Sequence, residues 1–162
     1  MYRKIHPFSL AGEPERYAAG DAVATVVVEG ARVTPFVCYD LRFPELFRLA
    51  AHDTDLFLVP ANWPARRGHA WRALLTGRAL DAQAWVAGVN RVGIDGNGVA
   101  HEGDTSVVNP LGEVVATLSD REGVVTADVD PDEVARVRRR YGFLDDRRPE
   151  LYRRLEDGRR VE

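Results

Sequence analysis

Short Val-rich runs alternate with segments of helical period through the first ninety residues, and that alternation constrains the fold more than any single motif does. Residues 22–29, 33–38, 55–60 and 85–90 read as strands, rich in β-branched side chains and bounded by turn residues. Between them, 44–51 opens on Pro44, whose fixed φ suits a first helical turn, and 68–83 repeats Trp71, Leu74, Leu75, Ala79 and Ala82 at helical spacing. Strand, helix, strand, helix, strand gives a layered α/β fold. Beyond residue 90 the pattern predicts strands over 105–109, 113–118 and 124–129, with Asn109-Pro110-Leu111-Gly112 as turn chemistry between the first two. A last helix over 131–140 has Asp130 as its cap, Asp132 and Glu133 in its first turn and arginines at its end, each charge at the pole the macrodipole favours. Asp95-Gly96-Asn97-Gly98 is expected to be a mobile connection, since its glycine spacing does not match a dinucleotide-binding fingerprint.

At 162 residues, 45% hydrophobic and 29% charged, the chain is expected to form one domain, 1–162, with enough apolar side chains to bury a core. No apolar run approaches the roughly 20 residues that cross a bilayer. The first twenty residues carry Arg3, Lys4, His6, Glu13, Glu15 and Arg16, so no membrane span and no secretory leader is expected. A single cysteine excludes an internal disulfide and points to a cytoplasmic setting. Arginine supplies 21 of the 22 basic residues, so a position that merely needs a solvated positive charge takes Arg; Lys4 is the exception. Its ammonium is a compact donor that can lose a proton when desolvated, which a guanidinium cannot. In the Arg-rich tail, about 136–162, the stretch from Arg136 to Arg160 holds ten Arg against five acidic residues. The acids are interleaved and no recognised binding motif accompanies them, so the tail reads as solvated surface rather than a nucleic-acid site. Phe143, Leu144, Leu151, Tyr152 and Leu155 read as anchors for its packing.

The lone Cys38 closes the apolar run 33–38 and is followed by Tyr39-Asp40-Leu41-Arg42-Phe43-Pro44 and a helix, which makes a strand–turn–helix corner. A thiol at such a corner is expected to lie near unpaired amides at the positive end of the helix, with its pKa lowered toward thiolate. The N–H just after it can face an oxyanion, as in other nucleophile elbows. His6, His52, His69 and His101 show no metal-ligand spacing, so no metal site is expected.

Tyr2-Arg3-Lys4-Ile5-His6, Cys38-Tyr39-Asp40-Leu41-Arg42-Phe43-Pro44-Glu45-Leu46, Ala61-Asn62-Trp63-Pro64, Arg78-Ala79-Leu80-Asp81-Ala82-Gln83, Asn90-Arg91-Val92-Gly93 and Gly103-Asp104 through Asn109-Pro110-Leu111-Gly112-Glu113 together resemble, in type and order, the motifs of the nitrilase superfamily of carbon-nitrogen hydrolases. The resemblance covers nearly the whole chain. It implies a four-layer αββα sandwich, commonly paired as a homodimer, that needs no cofactor. By the same resemblance Cys38 is the nucleophile and Lys4 the catalytic lysine, while the Tyr39 amide shares the oxyanion with that lysine. Glu13 is the second glutamate that orients the site, with Glu15 as its rival. Trp63 would wall the pocket, and Arg42 or Arg91 would pair with a substrate carboxylate. The motif variants look most like the omega-amidase branch, which implies hydrolysis of a small aliphatic amide, such as the terminal amide of a 2-oxo acid, to carboxylate and ammonia through a cysteine thioester.

Two departures qualify the resemblance. Pro7 stands where leucine commonly follows the histidine, and the family's first glutamate, a general base, would lie well upstream of a lysine that here is preceded by only three residues. The chain is therefore expected to be the C-terminal portion of a longer, N-terminally incomplete sandwich, inactive alone, with Lys4 poorly held near a fraying terminus. The alternative is a non-catalytic interaction or oligomerisation module.

Overall fold

The computed structural model describes residues 1–158, and the end of the Arg-rich tail, 159–162, lies outside the described residues. The described residues form one sheet of seven strands: β1 (Val26–Val28), β2 (Ala31–Pro35), β3 (Leu56–Ala61), β4 (Trp85–Asn90), β5 (Val92–Ile94), β6 (Ala100–Val108) and β7 (Val114–Ser119). Among the described residues four α-helices accompany it: α1 (Pro44–Ala50), α2 (Gly68–Ala82), α3 (Pro131–Arg140) and α4 (Pro149–Glu156). β2, β3 and β4 are parallel neighbours, as the strand–helix alternation requires, and β1 and β6 flank them antiparallel. β5 and β7 both pair with β6, at its two halves. This is the mixed α/β sheet with helices that the resemblance implied; of the four expected layers, these residues supply one sheet and the helices beside it. No described helix is long and apolar enough to cross a membrane.

Side-chain alternation on β3 and β4 divides the two sheet faces. Phe57 and Val59 of β3 and Val86 of β4 join Phe36, Phe47, Trp71 and Leu75 in the main core under α1 and α2. α2 buries Trp71, Leu75, Arg78, Ala79 and Ala82 at the spacing its sequence shows. It lies so close to the sheet that a Cβ on Gly88 would stand 2.6 Å from Leu75 and 2.7 Å from Trp71, so only glycine lets helix and strand meet here. On the opposite face Trp85 and Val107 pack with Val134 of α3.

Segment 124–129, expected as a strand, pairs with no strand among the described residues. Its Val125, Ala127 and Val129 instead lie across that second face against Trp85 and Val107, so the alternation serves packing rather than a ladder. The connection 95–98 is not loose either. Asp95 Oδ1 accepts from the N–H groups of Asn97 and Val99, and the Asp95 N–H donates to Val99 O, which builds the β5–β6 hairpin. In the tail, α3 is tied down by Arg138, whose guanidinium donates to the carbonyls of Ala51, Thr54 and Ala82. Of the expected anchors only Leu144 is buried, while Phe143, Tyr152 and Leu155 stay exposed.

Candidate active site

β2 ends at Pro35, and the chain turns at Cys38 into a short 3-10 helix, Cys38–Arg42, that leads into α1. Cys38 has φ +47°, a left-handed conformation that costs a non-glycine residue about 1–2 kcal/mol. Surrounding contacts hold the strain. The fully buried Asp40 accepts from the Val37 N–H at 3.1 Å, and Arg78 on α2 donates to the carbonyls of Leu41 at 3.0 Å and Arg42 at 3.4 Å. Tyr39 follows the thiol in the first turn, where an N–H has no partner within the helix.

Residues 1–25 contain only two short 3-10 turns, Ser9–Ala11 and Glu13–Glu15, yet the segment is fastened to this corner. Asp40 accepts from the Tyr2 hydroxyl at 2.7 Å and the His6 N–H at 2.8 Å, and its Oδ1 lies 3.0 Å from His6 Nδ1. The His6 ring stacks on Phe43 at 3.6 Å between centroids. Gly20 donates to Lys4 O at 2.7 Å, and a Cβ there would fall 2.2 Å from Arg3 O, so this approach requires glycine. The expectation of a poorly held lysine is therefore corrected: long-range bonds on both sides of Lys4 anchor it. Lys4 Nζ lies 2.5 Å from Glu13 Oε2, which also accepts from the Phe8 N–H at 2.7 Å. Glu13, not Glu15, is the carboxylate brought to the lysine.

Burial pushes the Glu13 carboxyl up, but the hydrogen bonds from Lys4 and Phe8 outweigh it and hold the group below the usual carboxylate range. It stays ionised and is a weak base. Cys38 goes the other way. Burial dominates and pushes its thiol up; the Asn62 backbone, Lys4 and Arg67 pull it down without cancelling that effect, and Glu13 adds to the rise. The expected lowering at the helix end is thus corrected: a five-residue 3-10 turn cannot offset the loss of solvent around the sulfur. Alkylation of Cys38 by iodoacetamide should accordingly be slow at pH 7 and climb with pH to a midpoint above that of a free cysteine. A midpoint below the free-thiol value, by stopped-time mass spectrometry, would contradict this environment.

Cys38, Tyr39, Lys4, Glu13, Arg42 and Trp63 line one cavity of about 1130 Å³. Arg91 does not line it; its guanidinium donates to Ile94 O on the exposed edge of β5. Trp63 is 4% exposed, so most of the indole is core and only an edge is wall. The Trp63 backbone N–H donates to Asn90 Oδ1 at 2.7 Å, and Asn90 Nδ2 returns a bond to Trp63 O at 3.1 Å. Arg42 lies 4.8 Å over the Trp63 ring. Asp40, Asn62 and Asn90 were not singled out from the sequence as site residues, although all three fall inside the quoted motifs. No cluster of metal-ligating side chains occurs among the described residues.

Residues 1–139 match the model of the family described as carbon-nitrogen hydrolase. The chain belongs to the carbon-nitrogen hydrolase family. Among its relatives, the omega-amidase YafV of Escherichia coli strain K12 is 53% identical over 117 residues, covering 72% of this chain and 45% of that protein. The 2-oxoglutaramate amidase of Paenarthrobacter nicotinovorans is 36% identical over 157 residues, covering 93% of this chain and 53% of that enzyme. This carbon-nitrogen hydrolase chain thus spans about half the length of these curated relatives. A solved carbon-nitrogen hydrolase superfamily protein from Xanthomonas campestris, XC1258, described with an arsenic adduct in its active site, superposes with a TM-score of 0.85 at 38% identity, over 91% of this chain and 59% of that one.

Proposed function

We propose that this site hydrolyses the terminal amide of a small 2-oxo acid to a carboxylate and ammonia through a thioester on Cys38. The observation that carries the reading is a thiol on a strained left-handed elbow that shares one cavity with a hydrogen-bonded lysine–glutamate pair. The sulfur attacks the amide carbon, the C–N bond breaks, and the thiol proton leaves on the nitrogen as ammonia; water then cleaves the thioester and returns the proton to sulfur. Lys4 and the Tyr39 N–H serve the oxyanion, and Glu13 holds Lys4 in place. The names of the relatives support the amide and the 2-oxo acid. Turnover by these 162 residues alone is expected to be slow, because the Cys38 thiol is protonated and Glu13 is too weakly basic to take its proton.

The test uses an activated ester, which needs no acid to expel its leaving group. p-Nitrophenyl acetate should place one acetyl group on Cys38, faster than on the unfolded chain, and Lys4→Met should slow the reaction. Acylation no faster than on unfolded protein would overturn the reading, and brisk ammonia release from an amide would overturn the expectation of slow turnover.

A second reading, self-association, rests on the sheet face opposite α1 and α2. Leu58 is 37% exposed and Val89 56% exposed beside the patch covered by 124–129, and the edge strand β1 leaves Val26, Val27 and Val28 uncovered. Sedimentation should show a species heavier than 18.0 kDa that grows with concentration, in keeping with a homodimer. A monomer at every concentration would exclude it.

A further inference from the structure

We propose that Arg67 reads the far end of the substrate, pairing with its carboxylate while Cys38 takes the amide end. This rests on the amide-hydrolase reading above and deepens it, assigning specificity for a dicarboxylic half-amide to one residue.

The cavity lining is cationic: Arg3, Lys4, Arg16, Arg42, Arg66 and Arg67 face only Glu13 and Asp95. Most of these charges are spent or solvated. Lys4 is bonded to Glu13, Arg3 to Asp21, Asp95 to its own hairpin, and Arg42 lies against the Trp63 ring. Arg16 and Arg66 are exposed to water.

Arg67 differs from all of them. Its Nε is buried and has no hydrogen-bond partner, and among the described residues its guanidinium joins no ion pair. Arg138 also has a bare Nε, but its Nη2 is committed to three carbonyls. With Nε shielded and no acceptor among the described residues for any part of the group, an anion in the cavity would meet the uncommitted Nη nitrogens and offset the cost of burying the charge.

The residue is also well placed. Its N–H donates to Pro64 O at 2.9 Å and its carbonyl accepts from Trp63 Nε1 at 2.9 Å, which fixes the backbone. The guanidinium carbon stands 5.4 Å from the Phe8 ring, so one side of the group packs on an aromatic from the N-terminal segment. Its field reaches the Cys38 sulfur. Lysine would supply the charge without the planar fork that meets both carboxylate oxygens.

Protection of Cys38 tests this without requiring turnover. Glutaramate, with an amide at one end and a carboxylate at the other, and butyramide, which keeps the amide and lacks the carboxylate, are titrated against iodoacetamide labelling. Glutaramate should protect at lower concentration than butyramide. Arg67→Gln should weaken glutaramate protection about tenfold or more, the size expected for one charge-assisted bond, and leave butyramide unchanged. Arg67→Lys should fall between, and matched thermal melts establish that each variant is folded. Protection constants are compared rather than raw labelling rates, because removing Arg67 also alters the thiol. Equal weakening of both compounds, no weakening of either, or a selective loss in Arg42→Gln in place of Arg67→Gln would overturn the assignment. Failure of both compounds to protect the wild type would instead defeat the amide-hydrolase reading itself.

Discussion

Lys4→Arg should slow acyl transfer to Cys38 by about 10²-fold or more, the loss seen when one oxyanion donor is removed, while the melting temperature changes little. Arginine serves at 21 other positions in this chain, so the substitution keeps what the rest of the sequence treats as a sufficient cation. What it removes is a compact donor 2.5 Å from Glu13 Oε2, with further N–H groups left for the substrate oxygen. A guanidinium is broader and flat, and it would engage Glu13 with two nitrogens and displace the donor from the cavity. Single-turnover acylation reads the effect directly. Rates within a few-fold of wild type would show that charge alone matters at this position.

Asp40→Ala should lower stability by about 3 kcal/mol or more, from a stranded-donor penalty of 1–3 kcal/mol for each group left dry. The carboxylate is fully buried and accepts from the Tyr2 hydroxyl, the His6 N–H and the Val37 N–H, so truncation leaves all three without a partner. The Tyr2 phenol is pushed above its ordinary range by burial first, then by its bond and proximity to Asp40, so it holds its proton and donates. Acylation of Cys38 should fall in the same variant, because the segment that carries Lys4 loses its fastening. Asp40→Asn keeps the shape and one acceptor oxygen and should lie between. Urea midpoints report stability, and limited proteolysis within residues 1–20 reports release of the segment. An Asp40→Ala protein with unchanged midpoint and cleavage rate would mean that Gly20 and the His6–Phe43 stack suffice.

The parallel core was legible because β2, α1, β3, α2 and β4 each carry their own periodicity and end signals. β5 and the start of β6 were not: His101, Glu102 and Asp104 lack strand composition, and pairing is imposed by the hairpin at 95–99. Helix α4 was also missed. In sequence Leu151, Tyr152 and Leu155 read as anchors of a packed tail, whereas they sit on a short helix opened by Pro149, with Tyr152 and Leu155 exposed.

At the site, the strand–turn–helix corner pointed to Cys38 and the composition to Lys4, and the resemblance assigned roles to both and to Glu13; the fold brings all three into one cavity. The direction of the Cys38 shift was illegible, because the helix end is written locally while burial of the sulfur comes from packing across β3 and the N-terminal segment. Asp40 escaped for a related reason. An aspartate in a turn normally faces water, and only the tertiary fold shows it to be dry and quadruply contacted.

Two of the site's three central groups, Lys4 and Glu13, thus arrive on a stretch with no fully buried residue, held by a few hydrogen bonds, aromatic contacts and the packing of Tyr2 and Ile5 on the edge of the main core. Competence is then a population: the observed rate is the intrinsic rate multiplied by the fraction of molecules with residues 1–20 docked. When the undocked form predominates, each further 1.4 kcal/mol lost from docking lowers the rate about tenfold with the sheet and helices untouched. Amide exchange at His6 and Gly20 would measure that opening in the same currency as the chemistry, making the clasp around Asp40 a thermodynamic gate on a site whose nucleophile sits apart from it, on the corner between sheet and helix.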